Sequence, residues 1–320
     1  MKGFENIIGH ERQKSYLSRV AAAENPAHAY IFAGSRGLGK RRVAMGFAAL
    51  LQKTSETTLS DCRIIDTQGK SIGVDVIREQ LVEDVQIAPF SKQWKIYIIR
   101  NAQKLTLQAQ NAMLKTLEEP PAYAVIILLV NDERKLTETV KSRCVMLQFS
   151  APSEEEAVAH LMAVEDLSRA DAVKLVRITD ANIGRALKFA ERYKEGKPWA
   201  DIIYVLTHLG EMKTHEILSF VKGLDDDSTD LFLSVLYTYY KDMLYYKLSN
   251  EINDLVLPEL QRSVMNNVRT MSYKNMYESV DAITEAIRRL EANANRATVF
   301  EILLLTIKEY GNGISHRRPV

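Results

Sequence analysis

Cysteine is nearly absent from this chain: Cys62 and Cys144 stand alone, far apart and without metal-ligand spacing. That excludes a disulfide framework and a cysteine-built zinc module, and it suits a reducing compartment. Long apolar runs are missing as well. The longest, Ala124 to Val130, is far too short to span a bilayer. The opening Met1-Lys-Gly-Phe-Glu-Asn6 carries charge where a signal peptide needs an apolar core. Neither sign of charge is in excess, with 42 Lys+Arg against 41 Asp+Glu, so no global field points to nucleic acid or membrane. Internal repeats and low-complexity tracts are absent too. A soluble cytoplasmic protein is expected, with no membrane partner, and 320 residues leave room for two or three domains.

One further absence is chemical. Gly34-Ser-Arg-Gly37-Leu-Gly39-Lys40 has the form of a phosphate-binding loop, but Arg41 stands where the pattern requires a hydroxyl to hold Mg²⁺. A later apolar run, Lys95-Ile-Tyr-Ile-Ile99, should end in acids that complete the metal site; it runs instead into Arg100-Asn101. Two independent losses argue against hydrolysis at this loop. Phosphate binding by Lys40 and backbone N–H groups needs no metal, so ATP or ADP binding stays open beside a purely structural turn. Arg36 could pair within the pocket or meet a phosphate, and the residues leave both open.

What is present reads as an α/β domain followed by helices. Ala29–Ala33 is a buried strand feeding the loop, and Lys40–Gln52 is helical, with Val43, Phe47, Leu50 and Leu51 on one face. Further strands are expected at Cys62–Asp66, Lys95–Ile99, Val125–Val130 and Val145–Phe149, with a helix over Leu107–Leu117 stopped by Pro120-Pro121. The strand signal ends at Ser153, an N-cap followed by Glu154, Glu155 and Glu156 in the first turn. Gly196-Lys-Pro198 marks the next boundary, giving expected domains at 1–151, 152–197 and 198–320. The last is helical, with apolar faces such as Leu231, Phe232, Leu236, Tyr239 and Tyr240, and Ile302, Leu303, Leu304 and Ile307.

Several segments carry a resemblance. They are Phe4-Glu-Asn-Ile-Ile-Gly9-His10, Ala27-His-Ala-Tyr-Ile-Phe32, Asn111-Ala-Met-Leu-Lys-Thr-Leu-Glu-Glu-Pro-Pro121, Ser142-Arg143-Cys144, Asn182-Ile-Gly-Arg185-Ala-Leu187 and Arg289-Leu-Glu-Ala-Asn293. In order and spacing these resemble the clamp-loader branch of the AAA+ family, which serves bacterial DNA polymerase III. The resemblance implies an α/β P-loop domain built on a parallel sheet with helices on both faces, a small helical lid, and an all-α collar that joins subunits in a ring. It implies a chain that is no enzyme by itself. Its partners would be ATPase subunits of the tau/gamma type, a delta subunit, a sliding clamp and primer-template DNA within a hetero-oligomer. No cofactor of its own would be required.

The resemblance also implies residue roles. Arg143 corresponds to the arginine that a neighbour inserts beside the γ-phosphate; its bland alternative is a surface arginine capping the strand at Val145. Gly34, Gly37, Gly39 and Lys40 correspond to the nucleotide loop, Asn131 to a γ-phosphate sensor and Arg185 to a lid arginine. In a silent site Asn131 would instead cap a strand end, and Arg185 would hold the lid. The family's four-cysteine zinc insertion is missing, since Lys53–Asp61 is short and cysteine-free, so no zinc is expected. Cys62 and Cys144 read as small buried hydrophobes. Lys92, Lys95, Arg100, Lys104 and Lys115 correspond to a DNA-facing surface or to an ordinary solvated one. A rival reading of another class is a stand-alone nucleotide sensor or DNA-binding adaptor, which would have no need of Arg143.

Overall fold

The computed structural model describes residues 3–5, 7–54, 59–67, 69–292 and 294–312. Part of the stretch expected to lack zinc, residues 55–58, therefore lies outside the described residues. The chain forms two compact units, residues 1–157 with 182–184, and residues 158–181 with 185–320.

The first unit is built on five parallel strands, β1 (Ala29–Ala33), β2 (Cys62–Ile65), β3 (Lys95–Ile99), β4 (Ala124–Val130) and β5 (Val145–Gln148), in the order β2-β3-β4-β1-β5. All of β1 and β4 is buried, as a sheet covered on both faces requires. Side chains alternate between two cores. Ile31, Tyr97, Ile99, Ile126 and Leu128 pack with Ile77, Leu81 and Met113 on one face. Tyr30, Phe32, Ile96, Ile98, Val125 and Ile127 pack with Leu17, Val43 and Phe47 on the other. Helices α1 (Glu11–Ala22) and α2 (Lys40–Leu51) cover the second face. The short α3 (Val74–Ile77), its wider-wound continuation Arg78–Glu83 and α4 (Leu107–Glu118) cover the first. A one-turn helix, α5 (Glu138–Lys141), precedes β5.

Local signals explain the boundaries. Thr106 caps α4 by accepting the Ala109 N–H at 3.2 Å, and Pro120-Pro121 forbids another turn after Glu118. Ser153 and Glu156 form a reciprocal cap, Ser153 N–H to Glu156 carboxylate at 3.0 Å and Glu156 N–H to Ser153 Oγ at 3.3 Å, which starts α6 (Glu154–Glu165).

Among the described residues, the second unit is built of helices: α7 (Arg169–Ile178), α8 (Ile183–Glu195), α9 (Lys197–His208), α10 (Thr214–Gly223), α11 (Asp226–Ser249), α12 (Gln261–Thr270), α13 (Tyr273–Glu291) and α14 (Arg296–Gly311). The first two residues of α8 belong to the first unit. Helix α11 packs against α9, α12 and α13, and α14 against α10 and α13. Leu231, Phe232, Leu236, Tyr239, Tyr240, Leu303, Leu304 and Ile307 are all buried, as expected, while Ile302 is 50% exposed. No helix among the described residues is long and apolar enough to cross a membrane.

Candidate functional site

The loop after β1 leaves the carboxyl edge of the sheet beside β4, where the chain order reverses. Its glycines are required by geometry at two positions. Gly34 has φ +147°, and a Cβ there would lie 2.3 Å from the Phe149 carbonyl oxygen. Gly37 has φ +91°, and a Cβ would lie 2.2 Å from Asn182 Oδ1. Gly39, at φ +80°, starts α2, so N–H groups of the first helical turn gather at the loop.

The loop is closed on itself. Lys40 is buried, and its ammonium donates to the Gly34 carbonyl, to the Ser35 carbonyl at 2.8 Å and to Asn131 Oδ1 at 3.0 Å. Burial lowers its pKa to about 8. Asn182 Nδ2 donates to the Arg36 carbonyl at 2.7 Å, and the Gly184 N–H donates to the Gly37 carbonyl at 3.1 Å. His10 Nε2 lies 2.7 Å from the Leu38 carbonyl, which only accepts, so the proton sits on Nε2. Burial pulls the pKa of that imidazole below its usual range. A phosphate entering the loop would have to take Lys40 from three oxygens already in place.

The metal half of the loop is altered in a way the sequence only partly displays. Arg41 is exposed. Arg100 and Asn101 follow β3 at the same sheet edge, and both turn to Asp66 at the end of β2: Arg100 Nη1 at 2.7 Å and Asn101 Nδ2 at 3.2 Å. Asp66 is thus an acid near the expected place, already bound by a cation and an amide. With no hydroxyl at position 41, this donor set does not fit a Mg²⁺ ion at the loop.

Arg143 lies at the opposite edge of the sheet. Val145, the first residue of β5, registers with Tyr30 in β1, whereas the loop begins four residues later at Gly34, about 13 Å further along the strand. The Arg143 guanidinium donates to the Thr139 carbonyl at 2.8 Å and to Ser142 Oγ at 3.1 Å, and pairs with the Glu118 carboxylate at 2.6 Å. It remains an exposed residue. The next residue, Cys144, packs against the sheet core, and burial pushes its thiol up to about 12; that of Cys62 is pushed to about 11. Burial thus disfavours the thiolate, the nucleophilic form, at both.

The other expected residues divide. Asn131 meets Lys40, as above, and its backbone N–H donates to Gln103 Oε1 at 3.2 Å. Arg185 pairs with Asp230 at 3.0 Å and also donates to Ser234, both in the second unit. Lys95 is an internal residue rather than a solvated cation: its ammonium sits 2.9 Å from Asp84 and donates to the Asp84 and Ile87 carbonyls at 2.6 and 3.0 Å. Arg100 is committed to Asp66, and Lys104 donates to the Gly69 carbonyl at 3.1 Å, while Lys115 is exposed. The sequence reading missed Glu118, Asp66 and Asn182. Each belonged to a quoted or expected segment, but only the folded chain supplies its partner.

Residues 9–153 match the family model described as DNA polymerase III, delta subunit. Among curated proteins, DNA polymerase III subunit delta' of Bacillus subtilis is 26% identical over 306 residues, covering 88% of this chain and 91% of that protein. DNA polymerase III subunit tau of Salmonella typhimurium is 28% identical over 254 residues, covering 73% of this chain. The chain spans only 40% of that tau protein's length, and 38% of the tau/gamma subunit of Haemophilus influenzae. Among solved structures, a DNA polymerase III gamma subunit-related protein of Thermotoga maritima shares the fold, with TM-score 0.51 and 22% identity over 93% of this chain and 99% of that one.

Proposed function

We propose, since this chain belongs to the clamp-loader family of DNA polymerase III, that it is the delta-prime-type subunit: a member without hydrolysis of its own that lends Arg143 to a neighbouring ATPase subunit. The observation that carries this reading is the placement of Arg143 at the sheet edge away from the chain's own loop. An arginine there cannot serve the nucleotide loop of its own fold, but its exposed guanidinium can serve a neighbour's. A guanidinium placed beside a transferred phosphoryl group neutralises the charge that develops on its oxygens.

The loop supports the same reading. Lys40 is engaged by the chain's own oxygens, Arg41 replaces the metal-binding hydroxyl, and Asp66 is held by Arg100 and Asn101. Gly34, Gly37, Gly39, Lys40 and Asn131 then serve as a structural turn, and any ATP or ADP that binds is not hydrolysed. Arg185, paired with Asp230, is a structural residue on this reading. The chain's work is to scaffold ATPase subunits of the tau/gamma type with a delta subunit, and to help place a sliding clamp on primed DNA. The second unit supplies the contact surface, through helix positions such as the exposed Ile302.

The test is the clamp- and primer-template-stimulated ATPase of the reconstituted complex, comparing wild type with Arg143→Ala. Turnover is expected to fall by at least about tenfold, with assembly and nucleotide binding preserved. An unchanged rate in an intact assembly refutes the finger.

A further inference from the structure

The two motifs that carry the resemblance most specifically, Leu117-Glu-Glu-Pro-Pro121 and Ser142-Arg-Cys144, are separate in sequence and converge on one guanidinium. Glu118 is the last residue of α4, its position fixed by the proline pair that follows. An acid there is unfavourable for the helix, because the carbonyl end of the macrodipole repels it. The helix tolerates Glu118 beside a compensating cation, and Arg143 is that cation, 2.6 Å away.

The donor inventory shows what this contact leaves. A guanidinium has five N–H donors. Nη1 uses both of its own on the Thr139 carbonyl and Ser142 Oγ, and Nη2 lies 2.6 Å from Glu118 Oε1 as an ion pair. Neither the Nε–H nor the Nη2 N–H groups make a hydrogen bond among the described residues, which leaves enough for a two-point contact with phosphate oxygens. An unrestrained arginine would lose rotational freedom about several side-chain bonds on meeting a phosphate; a guanidinium already held by Glu118, Thr139 and Ser142 has lost much of it beforehand.

We propose that Glu118 is a positioning residue for Arg143, preorganising the guanidinium for the neighbour's nucleotide without touching it. The inference rests on the finger reading above and adds the residue that aims the finger. Glu118 acts through its carboxylate, with Thr139 and Ser142 as the fixed supports. Both partners are partly exposed, with side-chain exposure of 34% for Arg143 and 47% for Glu118, so the contact is weak and screened by salt. A modest effect on rate follows, not a collapse.

The experiment is a double-mutant cycle on the stimulated ATPase of the reconstituted complex, with Glu118→Ala, Arg143→Ala and both together. Glu118→Ala is expected to lower kcat roughly two- to fivefold with KM for ATP unchanged, equivalent to about 0.4–1 kcal/mol. It should have no effect in the Arg143→Ala background, and the difference should shrink at high salt. Glu118→Gln keeps an oxygen acceptor and should recover part of the rate. A rate that is unchanged or raised by Glu118→Ala, while Arg143→Ala still slows turnover, overturns the positioning role and leaves the finger standing. An equal loss in both backgrounds also overturns it, since the residue would then act on something else. If Arg143→Ala itself has no effect, the finger reading falls and this inference with it.

Discussion

Replacing Gly184 by alanine tests whether the loop is held shut from outside its own sequence. Gly184 sits in the first turn of α8, and a Cβ there would lie 2.8 Å from both the Cα and the carbonyl oxygen of Gly37. The obstructing atoms are backbone, so the two segments must separate. Three contributions set the size. Losing the Gly184 N–H to Gly37 carbonyl bond costs about 1 kcal/mol. Forcing an extra methyl into a packed contact costs about 1–3 kcal/mol. Alanine in a helix recovers about 0.5–1 kcal/mol relative to glycine. The net is a destabilisation of about 1–3.5 kcal/mol of contacts that lie within the first unit. Each unit contains one tryptophan, Trp94 in the first and Trp199 in the second, so a Trp199→Phe background lets Trp94 fluorescence report the first unit alone. In urea the midpoint of that signal is expected to fall by roughly 0.5–1.5 M. The control is Gly73→Ala, where the added Cβ meets nothing within 4 Å and φ is an ordinary −77°. If the two variants unfold within about 0.5 kcal/mol of each other, the close approach of residues 182–184 to the loop is refuted.

Two other perturbations test the ionic chemistry around the sheet. Asp84 receives the Tyr97 hydroxyl at 2.6 Å and pairs with Lys95 and Arg63, each at 2.9 Å. Burial opposes its ionisation, but Tyr97 and Lys95 outweigh that and hold its carboxyl below the usual range. Its stabilisation is therefore present above the unfolded carboxylate pKa and lost as pH falls through the folded value. Asp84→Asn should destabilise the first unit at pH 7 by about 2–4 kcal/mol and flatten its acid limb, read by urea titrations at several pH values. Lys40 shows the opposite case. Its folded pKa, about 8, lies below the ordinary lysine value, so between the two the unfolded chain binds more protons and stability rises with pH. That rise should vanish in Lys40→Met, while ATP turnover of the reconstituted complex stays unchanged; a collapse of turnover with assembly intact would show the loop to be active.

Much of the fold could be read from local pattern, because the forces that set it act between near neighbours. Short apolar runs bounded by turns marked all five strands to within a residue or two at either end. The Thr106 cap was not anticipated, but the helix it starts was, since its apolar spacing and the proline stop carry the signal. Lys95 shows the limit of such reading. A lysine opening a strand looks like a surface cation until the segment before β3 brings Asp84 against it.

The sequence by itself determined the character of the phosphate loop: its glycines, its lysine and the missing hydroxyl are consecutive residues, and their meaning depends on little else. It also determined the sheet and the helical second half, through periodicity and caps. Tertiary structure decided where Arg143 stands relative to that loop, because the register of β5 on β1 puts them at opposite sheet edges. It decided as well that Glu118 meets Arg143, that Asp66 is taken up by Arg100 and Asn101, and that Asn182 reaches Arg36 across 146 residues of chain. Each of these contacts is polar and directional, made at a few ångströms between segments distant in sequence. Composition and periodicity carry no record of such pairs, since any of several acids could have met each cation, and only the closed fold selects one.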